Sequence, residues 1–231
     1  MNKKQILLSG LFLFLFGVPL LRANNALRRL PATVIDDCLL SYQGKLNQLL
    51  PIDIIKKYYT SSLATAKLTY RPSAIGKFDY DSYTYSWPSD RKVKGTSYPQ
   101  SNEIGLKWLK VIDFYSKKET PLATFNHLYR NPTEAEKEKA FQEAEKGLNK
   151  KGVAEKDVKN TVDIAKSLAA TTKYLRIQGV GDAAAWEYSS NYLIVLAGKV
   201  TFRVIVNVSE NPEENIALAQ KLALEVLKKC T

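Results

Sequence analysis

Histidine is almost absent from this sequence: His127 is the only one. It sits in TFNHLYRN, beside no cysteine and no carboxylate, so a Ser–His or Cys–His nucleophile pair has only that residue to use. Cysteine is nearly as scarce, with Cys38 and Cys230 near opposite ends. One histidine and two distant cysteines exclude a zinc site of Cys/His spacing. No Asp-rich loop has the EF-hand pattern. Gly179-Val180-Gly181-Asp182 lacks the third glycine of a dinucleotide fingerprint and leads into a strand pattern. It reads as a tight turn in which glycines supply positive φ and Asp182 caps. Acids are plentiful from Glu134 to Glu145, but they alternate with lysines on a helical pattern, which describes a solvated face. Glu187, beside Trp186, is the acid with the most apolar neighbour, and it has no evident partner in sequence. No catalytic residue, metal ligand or cofactor is expected.

Long apolar runs are missing too, with one exception. Lys3 and Lys4 precede ILLSGLFLFLFGVPLL, residues 6–21, and no acid occurs before Asp36. A basic start, an apolar stretch and small residues form the layout of a secretory signal. Ala23 is the expected cleavage position, with Ala26 as the alternative. A membrane span needs about 20 apolar residues, and this stretch is shorter and interrupted by Gly17 and Pro19. The polar VIDD before Cys38 is no lipobox. The expected organisation is a signal peptide over 1–23, a flexible lead over 24–37 and a single domain over 38–231. The expected location is exported, periplasmic or extracellular, with no transmembrane segment in the mature chain.

Loss of Lys3, Lys4 and Arg22 with the signal lowers the formal charge from +11 to about +8. Export makes nucleic acid an unlikely meeting and leaves two readings of a basic surface. One is a solvated surface with mixed signs. The other is attraction to an envelope protein or an anionic glycan. In an oxidising compartment Cys38 and Cys230 are a disulfide candidate that would tie the first ordered segment to the last helix.

Periodicity places the elements. Leu39, Leu46, Leu49, Leu50, Ile54 and Ile55 recur at helical intervals on either side of Pro51, giving one broken helix or two short ones. Lys67–Tyr70 reads as a short strand. In SYTYSW, residues Tyr83, Tyr85 and Trp87 alternate with small polar residues. The stretch 104–116 has apolar residues on both parities, as expected of a strand covered on both sides. A helical insertion spans about 121–172, with a capping box at Thr133 and Glu136. Its apolar stripes favour a layer that covers the sheet over a free interaction arm. Strands follow at Tyr174–Gln178, around Trp186, and in a hairpin hinged near Gly198-Lys199. Asn211-Pro212-Glu213-Glu214 opens the last helix with a cap, a proline and two acids. The expected fold class is α+β: a mostly antiparallel sheet with helices on its faces and a helical insertion.

Aromatic residues are the strongest binding signal. Tyr80, Tyr83, Tyr85, Trp87, Tyr98 and Trp108 crowd into one third of the chain. Buried, they are core; exposed, they form a stacking platform for a sugar or a protein. The strings YTYSWPSDR, HLYRNPTEAEKEKA, VGDAAAW and NPEENIALAQKLALEVL resemble those of a group of exported bacterial proteins without assigned function. More loosely, the order of elements is similar to the PsbP-like α/β sandwich of exported lipoproteins. That resemblance implies a fold and a compartment, and a domain that binds or scaffolds; it carries over no active site. The expected function is an exported, non-catalytic binding or envelope-associated domain. Its rivals are an envelope hydrolase with paired carboxylates and a structural subunit of an envelope assembly.

Overall fold

A computed structural model describes residues 32–74, 76–93, 96–113 and 118–230. The expected signal and the first part of the expected lead lie outside them. The chain is α+β. Three helices come first: α1 (Ala32–Leu40), α2 (Leu46–Leu49) and α3 (Ile52–Tyr58). Strands β1 (Lys67–Arg71), β2 (Ser82–Trp87) and β3 (Asn102–Val111) form a meander, with a 3₁₀ turn at Phe78–Tyr80. Helices α4 (Pro121–Leu128), α5 (Glu134–Lys150) and α6 (Glu155–Thr171) follow. A second meander contains β4 (Tyr174–Ile177), β5 (Ala183–Glu187), β6 (Tyr192–Ala197) and β7 (Val200–Asn207), and α7 (Pro212–Lys228) comes last.

The seven strands form one sheet in the order β1-β2-β3-β7-β6-β5-β4. Every neighbouring pair is antiparallel. The meanders meet only where β3 pairs with β7. One face, called inner here, carries Tyr85, Trp87, Leu106, Trp186, Phe202 and Val204 into the main core. Leu46, Leu49 and Ile55 of α2 and α3, with Ala219, Leu222 and Val226 of α7, complete that core. A smaller cluster on the outer face holds Ile112, Ala185, Ile194 and Leu196 under Phe125 of α4. Helix α4 starts cleanly because Thr120 accepts from the Ala123 N–H and Pro121 needs no N–H partner. Among the described residues no helix is long and apolar enough to cross a membrane.

Three expectations are corrected. The segment 32–37 is helical and anchored, where the sequence suggested a flexible lead. Asp36 is the reason: its carboxylate, almost fully buried, accepts the Lys199 backbone N–H at 2.9 Å and lies 3.5 Å from the Lys199 Nζ. Asp36 thereby holds the β6–β7 turn. Strand β3 is buried on both faces from Ile104 to Lys107, as expected, but its alternation does not continue through the strand. A register shift between Lys107 and Lys110 inserts an extra residue, and Trp108 takes φ of 56° there. The bulge changes the parity, so Leu106 and Leu109 both reach the inner core. Residues 114–116 of the expected strand lie outside the described ones.

The third correction concerns the helical insertion. Only α4 packs on the sheet; α5 and α6 pack chiefly on each other. Helix α5 buries none of its residues and α6 buries only Val158 and Val162. The two helices pack on each other as a hairpin arm, which covers Val158 and Val162 but leaves Ile164 and Leu168 exposed. The expected capping box is present, with Glu136 also bonded by Arg130. At the base of the arm, the Asn131 side chain accepts the Tyr174 N–H at 2.8 Å and donates to the Tyr174 carbonyl at 2.9 Å.

Cys38 and Cys230 are bridged, with Cα atoms 5.6 Å apart. The bond closes almost the whole described chain. Reduction, or the double variant Cys38→Ser/Cys230→Ser, is expected to lower Tm by about 10–20 °C, from about 5 kcal/mol of loop-closure entropy. An unchanged Tm would contradict that. Replacing residues 133–172 by a short Gly/Ser linker is expected to shift Tm by less than about 5 °C and to leave unfolding cooperative. Loss of the cooperative transition would show the arm to be part of the core.

Candidate functional site

The bulge in β3 builds the most unusual polar surface of the molecule. A tryptophan at φ of 56° is strained, and such strain concentrates at functional positions. The Trp108 N–H is held by the Asp81 carbonyl at 3.0 Å. Its half-buried indole meets the outer face of the sheet, where the Arg203 guanidinium stacks 4.0 Å from the ring centre. Tyr80 meets the indole edge-on, centroids 5.8 Å apart. Lys110 lies 4.2 Å above the Tyr80 ring and donates to its hydroxyl at 2.9 Å. Burial opposes the Lys110 charge, but its bonds to Asp113 and Tyr80 outweigh it and hold its pKa above the usual lysine value.

Next to this platform, β3 and β7 place two cations side by side. Lys107 and Arg203 are register partners on the outer face. Like charges so placed repel, and two acids offset them. Glu103 lies 3.2 Å from the Lys107 Nζ, and Glu187 lies 3.9 Å from Arg203. Tyr192 sits between the cations. Its hydroxyl takes a hydrogen bond from Lys107 at 3.3 Å, and its ring centre is 5.2 Å from Lys107 and 5.6 Å from Arg203. Glu187 is fixed in turn by the hydroxyls of Tyr174, at 3.3 Å, and Ser190. Burial first, and then the Glu187 charge, push the Tyr174 phenol up to about 12. The result is a band of aromatic rings and cations, with its acids at the edges.

The expected contact aromatics divide between the two faces. Tyr80 and Trp108 meet in this cluster. Tyr85 and Trp87 are core residues on the inner face. Tyr83 packs beside them, stacked on Tyr70 and bonded to the Gly44 carbonyl. Tyr98 is exposed on the loop between β2 and β3. His127 is exposed in the last turn of α4. Asp182 caps as expected, but it caps the neighbouring hairpin, accepting the Gly198 N–H at 2.7 Å. Glu187 does have partners, contrary to its isolated look in sequence. Lys107, Arg203 and Tyr192 were not singled out by sequence reasoning. The available signal was a lone cation inside an apolar strand, in IGLKWL and in VTFRVIV.

The two acids of the cluster do not converge. Glu103 on β3 and Glu187 on β5 stand three strand spacings apart, about 14 Å at about 4.8 Å per strand. A glycosidase pair needs about 5–10 Å. Among the described residues no group of His, Cys, Asp or Glu is placed to hold a metal ion.

The raised Tyr174 pKa has a measurable consequence. Below about pH 10 the phenol is neutral in both the folded and the unfolded chain. Between about 10 and about 12 only the unfolded chain ionises, so stability falls as pH rises through that window. Urea midpoints of the wild type are expected to fall more steeply there than those of Tyr174→Phe; parallel declines would contradict the assignment.

No protein family's model matches this chain, and no curated protein or solved structure matches it either, so the site stands on its own geometry.

Proposed function

We propose that this chain is an exported, non-catalytic binding domain that holds an anionic glycan of the cell envelope on the outer face of its sheet. The observation that carries the reading is Trp108, held at a strained φ with its indole against Arg203 and Tyr80. An indole presents an apolar face to a sugar ring, and its neighbouring cations match acidic substituents. Arg203, with the nearly buried Lys107 behind it and each already facing an acid, is the cation nearest to a carboxylate or sulfate laid on the indole. The fixed partners of each cation mean that little side-chain order has to be bought on binding. A net charge of about +8 after loss of the signal would speed encounter with an anionic polymer.

A second reading, a structural subunit of an envelope assembly, is favoured by the α5–α6 arm. Ile164 and Leu168, four residues apart on α6, are both more than half exposed. A partner helix laid along that stripe would bury them.

Calorimetric titration of the disulfide-bonded protein with oligogalacturonate tests the first reading. Trp108→Ala is expected to weaken binding about tenfold, the equivalent of about 1.4 kcal/mol. Tyr98→Ala, in the exposed loop, is expected to leave it unchanged. Affinity should fall with added salt. Equal affinity in the Trp108 variant, or shortening of the oligosaccharide during the titration, would overturn the proposal, the latter in favour of a hydrolase.

A further inference from the structure

A cavity of about 340 Å³ opens between α4 and the turn that joins β4 to β5. It shares no residue with the Trp108 cluster. In the register of the sheet Arg176 aligns through Ala185 and Ile194 with Arg203. Phe125 of α4 belongs to the cluster that covers those two intervening residues. Helix α4 therefore separates the cavity from the aromatic platform.

The polar lining comes from Arg176, Gln178, Asp182 and Asn126, with the backbone of Gly179–Gly181 between them. The turn is built to keep that backbone bare. Gly179 and Gly181 take φ of 79° and 61°. A side chain at Gly181 would collide with the Leu196 carbonyl, since its Cβ would lie 2.3 Å from that oxygen. At Gly179 a Cβ would meet nothing within 4 Å. Glycines at both positions permit the positive φ that this turn adopts.

The charges of the cavity are unequal in their commitments. Asp182 spends one carboxylate oxygen on the Gly198 N–H at 2.7 Å. Arg176 donates to the Asn126 carbonyl at 3.2 Å and rests 5.4 Å from the Phe125 ring centre. Among the described residues it forms no ion pair. Partial burial alone holds its pKa below the usual guanidinium value. An exposed guanidinium at the cavity wall, with no ion pair among the described residues, can bind a carboxylate through two parallel hydrogen bonds. The amides of Asn126 and Gln178 suit hydroxyl groups. Carboxylate and hydroxyls on one small ring describe a sugar acid.

We propose that this cavity is a second binding site, for a monosaccharide-sized sugar acid, with Arg176 as the carboxylate anchor and the Gly179–Gly181 turn as its wall. The proposal stands apart from the platform reading, since the two sites have no residue in common.

Titration of the isotope-labelled, disulfide-bonded protein with glucuronate, followed by amide shifts, is the test. Shifts are expected to centre on Gln178–Asp182. Glucose, the neutral counterpart, is expected to bind at least about tenfold more weakly, and Arg176→Gln is expected to weaken glucuronate by about the same factor. Trp108→Ala should retain glucuronate binding, which separates this site from the platform. A diglucuronate that binds more tightly than glucuronate would assign the cavity to a glycan end, and the reverse would assign it to the free sugar acid; both uphold it. If Arg176→Gln does not fold, the wild-type shifts decide. Equal binding of glucose, an unchanged affinity in a folded Arg176→Gln, shifts centred elsewhere, or no shift at about 10 mM glucuronate would each overturn the proposal.

Discussion

The pairing of β3 with β7 is the constraint on which the rest depends. Each meander is a local structure that its own turns can form. Only the central pair makes them one sheet, joining residues about a hundred positions apart, such as Leu106 and Val204. That contact carries a large loop-closure cost, and the inner-face core offsets it. Ile104, Leu106, Val204 and Val206 are buried in adjacent rungs of the same pair. The bulge in this pair then does what a regular ladder could not. It keeps Leu109 in the core while turning Trp108 to the other face, beside Lys107. Fold and candidate site thus share the central β3–β7 pair.

The chain ends are tied to the same frame. Asp36 of α1 grips the β6–β7 turn, and Cys38 of α1 is bonded to Cys230 after α7. Lys57 and Tyr58 of α3 meet Glu225 of α7. That carboxylate is held down to about 2, first by the Tyr58 hydroxyl and then by the lysines. The helical layer is therefore cross-linked to itself as well as packed on the sheet. The arm of α5 and α6 is outside this network and touches it through the Asn131–Tyr174 pair at its base. Such an element can move as a unit without disturbing the core.

Most of the fold was legible in sequence because its signals are local. Period-two alternation in SYTYSW, the capping box at Thr133, and Asn211-Pro212 before the last helix each depend on a few neighbouring residues. The cysteine pair was legible by number alone. Asp36 was not, because its partner is a backbone N–H far along the chain. The covering role expected of α5 and α6 failed for a related reason. An apolar stripe does not say what covers it, and here the adjacent helix of a hairpin covers Val158 and Val162 in place of a sheet. The site was half legible. Tyr80 and Trp108 stood out with other aromatics, but the face each would occupy depends on a bulge, and a bulge leaves no composition signal. Strict alternation through IGLKWLKV puts Trp108 on the same face as Leu106, which is where it is not. Lys107 and Arg203 gain meaning only when the two strands are paired.

Trp108 fluorescence tests the central claim most directly. The chain has three tryptophans, and Trp87 and Trp186 are buried in the inner core. A Trp87→Phe/Trp186→Phe variant that stays folded leaves Trp108 as the sole reporter. Its emission is expected to shift on addition of oligogalacturonate and to stay unchanged with a neutral oligosaccharide of the same length. A spectrum typical of a fully buried indole, unmoved by the acidic oligosaccharide, would contradict the account.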